Sequence, residues 1–285
     1  MKKQLSVLIL CFIFQSVFSL EWPSENIDFL LLFGQETGKD FSQGVVFKDT
    51  QTVKASEHGK LLIAIEKKDN IGRFPSALGN ALIFIHEDGL QTVYGNLEDT
   101  QLFKTREETD ANSIIGTTGQ SGWSEPKSLI FQVADIKNKV FLNPLLLMPY
   151  LEDKILPQIQ NVILTDRKNN TVNLNEIKMI KQGSYDLYAS ISDKITKESK
   201  DFSPFRVTVF LNGTNVSIIP FEVLTSDQSK FYLKGSKIHE TLLYGKKGYL
   251  YLGKIDLTRG KTNLTISARD ITGNEKIETF SIQVE

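Results

Sequence analysis

Histidine and cysteine are the scarce residues of this chain. It holds three histidines and one cysteine in 285 residues. The cysteine, Cys11, lies inside the apolar N-terminal run, so the remainder has neither a disulfide nor a thiolate metal ligand. The histidines are His58, His86 and His239, and no histidine occurs from 87 to 238. An excess of charge of one sign is also missing: 33 basic residues face 34 acidic ones. That balance excludes the basic footprint of a nucleic-acid binder. Residues 5–18 are apolar but shorter than the ~18 residues that argue for a membrane span. The chain has no repeat and no low-complexity segment.

What is present fits a folded, exported protein. Hydrophobic residues make up 40% and charged ones 24%, enough for one large domain or two ordinary ones. Lys2 and Lys3 precede the apolar run, and Val17-Phe18-Ser19 offers a cleavage site after Ser19. Residues 1–19 therefore read as a secretory signal peptide, and the expected location is the periplasm or envelope of a bacterium. Lipidation at Cys11 is the alternative, opposed by the bulky Leu10 before it. The Asn-x-Ser/Thr sites at Asn169, Asn212, Asn215 and Asn263 matter only in a eukaryotic secretory route.

The pattern along the chain is one of short strands. Residues 29–33 and 61–66 are apolar runs. Residues 81–86 and 90–97 read as a hairpin turned by Glu87-Asp88-Gly89. A glycine-rich loop follows, with Gly116, Gly119 and Gly122, and then a strand over 129–133. Residues 149–157, with proline at both ends, read as a hinge. Beyond it, alternating runs at 162–165, 184–192, 205–211, 249–257, 263–270 and 278–284 are separated by Asn169-Asn170, Asn212-Gly213 and Thr272-Gly273-Asn274. That spacing predicts an antiparallel β-sandwich. Residues 220–221 and 230–244 fit neither helix nor strand.

Catalytic constellations are weak. The loop around Gly116, Gly119 and Gly122 lacks the lysine of a phosphate-binding loop, and a strand follows it. Glu87/Asp88 and Glu98/Asp99 are adjacent acids in turns, ordinarily solvated. Ser128 has no elbow motif and no histidine nearby in sequence.

One resemblance organises residues 30–149. Phe41-Ser42-Gln43-Gly44-Val45-Val46-Phe47, Gly79-Asn80, His86-Glu87-Asp88-Gly89, Tyr94-Gly95-Asn96-Leu97, Gly119-Gln120-Ser121-Gly122, Ser128-Leu129-Ile130-Phe131-Gln132 and Asn143-Pro144 resemble the successive motifs of LytM/lysostaphin-type zinc endopeptidases. In that family three protein ligands hold zinc, and the metal activates a water against a peptide bond. The resemblance puts Gln43 at the first zinc histidine, Val46 at the aspartate and Ile130 at the second zinc histidine. It puts Ser128 at the histidine that assists catalysis, Asn96 at the histidine of the Tyr-x-His-Leu strand, and Gln132 at the strand glutamate. Valine and isoleucine have no lone pair to give, so the resemblance implies the scaffold without its zinc, and no cofactor is expected. Residues 263–274 resemble the last hairpin of an immunoglobulin-like domain of bacterial envelope proteins.

The expected architecture is therefore all-β: a LytM-like barrel or sandwich over 20–149, a linker over 150–157 and an immunoglobulin-like β-sandwich over 158–285. The expected function is that of a catalytically inactive peptidase domain that binds cell-wall peptide, or regulates or scaffolds a peptidoglycan hydrolase. Tyr94 and Trp123 fall on segments that would rim the groove, where each is either a binding side chain or core filler. The alternatives are an active peptidoglycan metalloendopeptidase with an atypical site and a purely structural envelope interaction protein.

Overall fold

The computed structural model describes residues 20–37, 40–67, 76–228, 230–236 and 238–285. The expected signal peptide with Cys11, and most of the 67–75 loop, lie outside these. The fold is almost entirely β; among the described residues one short α-helix, Glu240–Leu243, and two 3-10 turns, Gln101–Phe103 and Pro144–Leu146, interrupt it. No helix among them is long and apolar enough to cross a membrane.

The first half is built on an antiparallel sheet whose central strand is Leu129–Asp135. Leu90–Leu97 pairs on one edge of it, and Val45–Phe47 and Val140–Leu142 share the other. Asn80–Ile85 and Gly59–Ile65 extend the sheet beyond Leu90–Leu97. The hairpin between Asn80–Ile85 and Leu90–Leu97 turns where expected, at Gly89 with φ +85°. Side chains alternate between faces along a strand. Val45, Phe47, Leu129, Phe131, Val133, Phe84 and Tyr94 all point into one apolar core. Thr52–Lys54 and Ile114–Thr117 form a small separate sheet whose Val53 and Ile115 close that core. None of the sheets closes on itself; the barrel form of the expectation gives way to open layers.

The second half is a sandwich. Thr171–Asn173, Gln158–Thr165, Gly183–Ser192 and Leu250–Leu257 make one sheet. Met179–Ile180, Glu275–Val284, Gly260–Arg269, Arg206–Leu211 and Thr214–Pro220 make the other. Alternate residues from both, among them Leu164, Leu187, Leu252, Val207, Ile266 and Ile282, fill the space between.

The halves are not separated at 150–157 as the sequence suggests. Val223–Asp227 leaves the sandwich and pairs with Val140–Leu142 of the first sheet, Phe141 opposite Leu224. Lys230–Leu233 adds one more strand. Leu224 is nevertheless buried in the sandwich core, as are Phe33 and Phe41 from the N-terminal half. Buried Asn143 fixes this crossing: its backbone N–H donates to Glu222 O at 2.8 Å and its Nδ2 to Phe221 O at 2.8 Å. Of the ambiguous residues 220–221 and 230–244, Pro220 ends strand Thr214–Pro220, 230–233 form an edge strand and 240–243 the short α-helix.

Because the two cores share this ladder, residues 20–285 are expected to unfold in one calorimetric transition. Thr225→Pro places a proline opposite Val140 inside the ladder and should split that transition in two. Two separate transitions in the unsubstituted protein would contradict the shared-ladder description.

Candidate functional site

The face to inspect is the side of the first sheet away from the core. Val46 and Ile130 are cross-strand partners, and Ile130 also pairs with Gly95. Their neighbours Val45, Phe47, Leu129 and Phe131 belong to the core, so alternation turns Val46 and Ile130 together onto the opposite face. Val46 is buried and Ile130 half-buried there. The turn at 76–79 lies against Gly95, beside Ile130. A β-carbon on Gly95 would stand 3.1 Å from Leu78 O and 3.3 Å from the Ile130 Cβ. The centre of this face is thus an apolar contact.

A polar clamp surrounds it. Asn96 ends the strand in the left-handed region, φ +63°, and is fully buried. Its Nδ2 reaches Ser128 O at 2.9 Å and Glu125 O at 3.1 Å, and its Oδ1 accepts from the backbone N–H of Gly122 at 2.9 Å. Ser128 is equally buried, its Oγ 3.2 Å from Asn96 Nδ2, 2.7 Å from Ser124 Oγ and 2.5 Å from Glu125 O. Asn80 does the same for the next turn: its Nδ2 donates to Glu98 O at 2.6 Å, and its backbone N–H donates to Ser121 Oγ at 2.9 Å. The two loops, 76–79 and 119–124, meet closely. A β-carbon on Gly79, φ +66°, would lie 2.3 Å from Gly122 N, and one on Gly122 would lie 2.9 Å from Ala77 O. Only glycine allows that approach.

The sequence-derived site residues separate accordingly. Val46, Ile130, Asn96 and Ser128 do come together. Gln43 is half-buried just before the strand, and beside it buried Ser42 turns its hydroxyl onto Gly44 O at 2.8 Å. Tyr94 lines no groove. It is fully buried against Phe84 and Phe131, and its hydroxyl accepts the Ser56 N–H at 2.7 Å. Burial raises its phenol above the ordinary tyrosine range. Trp123 is the opposite case, 76% exposed at the tip of the loop that Asn96 holds.

The residues at these positions do not fit zinc. Two are hydrocarbon, Asn96 has spent its amide on backbone groups, and Ser128 is enclosed. The histidines are engaged elsewhere. His86 is buried, with Nδ1 2.8 Å from His58 O and Nε2 2.8 Å from Thr92 Oγ1. The carbonyl fixes Nδ1 as a donor, which leaves Nε2 to the threonine hydroxyl. Beside it, burial pushes the Glu57 carboxyl up, offset in part by His86. His58 faces Asp110 at 3.1 Å, and His239 contacts Thr241 at 2.7 Å. Among the described residues, one cluster of metal-binding type exists, Asp153, Asp193 and Asp270, and it lies outside this face.

Comparisons agree with the scaffold. The family model described as peptidase family M23 matches residues 40–144, and a second family model matches residues 156–285. An uncharacterised protein of Treponema pallidum (strain Nichols) is 39% identical over 124 residues, 40% of this chain and 84% of that protein. Three solved structures show a partial likeness. The SpoIIQ–SpoIIIAH pore-forming complex is 23% identical, covering 47% of this chain and 92% of that one, TM-score 0.36. Csd3 of Helicobacter pylori is 17% identical, covering 41% and 30%, TM-score 0.32. Lysostaphin is 15% identical, covering 94% and 99%, TM-score 0.37.

Asn96→Ala removes the clamp and leaves buried carbonyls and an N–H without partners, a loss of about 3 kcal/mol of stability. Asn96→His, the family residue, should also destabilise, because an imidazole cannot donate to Ser128 O and Glu125 O while accepting from Gly122. Urea denaturation monitored by Trp123 fluorescence measures both; a variant as stable as the parent would contradict the clamp.

Proposed function

Since this chain belongs to peptidase family M23 through residues 40–144, we propose that this domain binds peptide without hydrolysing it. The single observation that supports this reading is the cross-strand pairing of Val46 with Ile130, two hydrocarbon side chains at the positions where the family resemblance puts two zinc ligands. A hydrolase of this kind needs lone pairs there and an open coordination position. A binding domain needs only a stable face and exposed contact groups. Trp123 supplies an exposed aromatic surface on a loop held rigid by Asn96, which suits recognition at low entropic cost.

The ligand class we propose is cell-wall peptide, or an extended segment of a peptidoglycan hydrolase that this domain regulates or scaffolds. We read the protein as exported to the bacterial envelope, with residues 20–149 as the pseudo-peptidase unit, 150–157 as the connection and 158–285 as an immunoglobulin-like interaction module. No zinc or other cofactor takes part in the function of the first unit.

The experiment is co-sedimentation of the purified protein with isolated peptidoglycan sacculi. The parent should pellet with the sacculi, and Trp123→Ala should bind at least about tenfold more weakly, the ~1.4 kcal/mol expected from one lost aromatic contact. Equal binding by the variant would remove Trp123 from the surface. No binding by the parent would remove cell-wall peptide as the ligand and leave the hydrolase segment.

A further inference from the structure

Three carboxylates with no basic partner meet where the two halves join. Asp153 comes from the connection at 150–157. Asp193 directly follows strand Gly183–Ser192, and Asp270 directly follows Gly260–Arg269. One oxygen from each lies within 4.8 Å of the others. All three are buried, with 5%, 6% and 1% of their surfaces exposed. Among the described residues, none of the three enters an ion pair with a lysine, arginine or histidine.

Such a cluster is costly unless something compensates it. Like charges this close repel, and burial penalises each ionised form. Part of the hydrogen-bonding need is met. Asp270 Oδ1 accepts from the backbone N–H groups of Thr272, Gly273 and Asn274 at 2.9, 2.7 and 2.9 Å, and Asn274 Nδ2 donates to Oδ2 at 2.7 Å. Asp153 Oδ1 accepts the Ile155 N–H at 2.8 Å. The rest is not met: Asp153 Oδ2 and Asp193 Oδ1 are enclosed without any partner. These two orphaned oxygens belong to the same three-carboxylate group. They are the independent sign that something besides the protein's own donors completes it.

We propose that Asp153, Asp193 and Asp270 form a calcium site that locks the connection between the two halves. Hard cations take oxygen ligands, and calcium holds them at about 2.3–2.6 Å. Two ligands on opposite sides of one such ion are then about 5 Å apart, so oxygens within 4.8 Å fit a single ion. Three carboxylates supply part of a shell of about six to eight oxygens, with water completing it. The surroundings are already in place: Asn274 Nδ2 donates to the Asp153 backbone O at 3.0 Å, which ties the 270–274 loop to the connection. A bound cation fastens the connection to the ends of both sheets of the sandwich.

The test is the melting temperature of the chelator-treated full chain at pH 7.5, alone and with about 2 mM Ca²⁺ or Mg²⁺. Ca²⁺ should raise it by about 5 °C. Asp193→Asn keeps the shape and removes one charge. It should melt higher than the metal-free parent at pH 7.5 and lose the Ca²⁺ shift, and Asp153→Asn should lose the shift as well. An unchanged melting temperature of the parent in Ca²⁺ would overturn the proposal. So would a full shift retained in either variant, or a shift given by Mg²⁺ and not by Ca²⁺.

Discussion

The pairing of Ile130 between Val46 on one side and Gly95 on the other is the constraint on which the candidate site depends. It fixes which side chains share the outer face of the sheet, and the 76–79 turn lies against Gly95 beside them. Once Val46 and Ile130 occupy that face, their contact is stabilised by exclusion of water, which is the reverse of what an open metal position needs. The same strand carries Leu129, Phe131 and Val133 into the core. A register slip of one residue would exchange the two sets, so the fold and the character of the face are specified together.

Around this apolar centre, polar residues hold loops. Asn96 and Ser128 stand where the family resemblance puts histidines, and both spend their hydrogen bonds on the glycine-rich segment. The result is a fixed loop that presents Trp123 to solvent. The second half contributes through a different interaction, the ladder of Val223–Asp227 on Val140–Leu142, which joins the two cores.

Much of this was legible in the sequence. The hairpin at 80–97, the closing strand and the main strands of the sandwich follow from alternation and turn residues. That the side chains of Val46 and Ile130 have no donor atoms is plain from the sequence alone. Other features were not legible. Tyr94 and Trp123 are both aromatic residues near glycine, and nothing local says that one is core and the other exposed. The crossing at 223–233 could not be foreseen because its ladder partner, Val140–Leu142, lies more than 80 positions away in sequence. The meeting of Asp153, Asp193 and Asp270 depends on contacts separated by up to 117 positions in sequence, and each alone reads as a polar loop residue. The 150–157 segment looks like a loose hinge for the same reason, although Asp153 within it is buried.

The most direct test of the central claim is hydrolysis itself. Purified protein supplied with zinc would be incubated with peptidoglycan sacculi, and released amino groups would be measured with and without chelator. The account predicts no release above the protein-free control in either condition. Release that the chelator abolishes would mean that a working metal centre assembles on this domain, and it would contradict the reading of the Val46–Ile130 face.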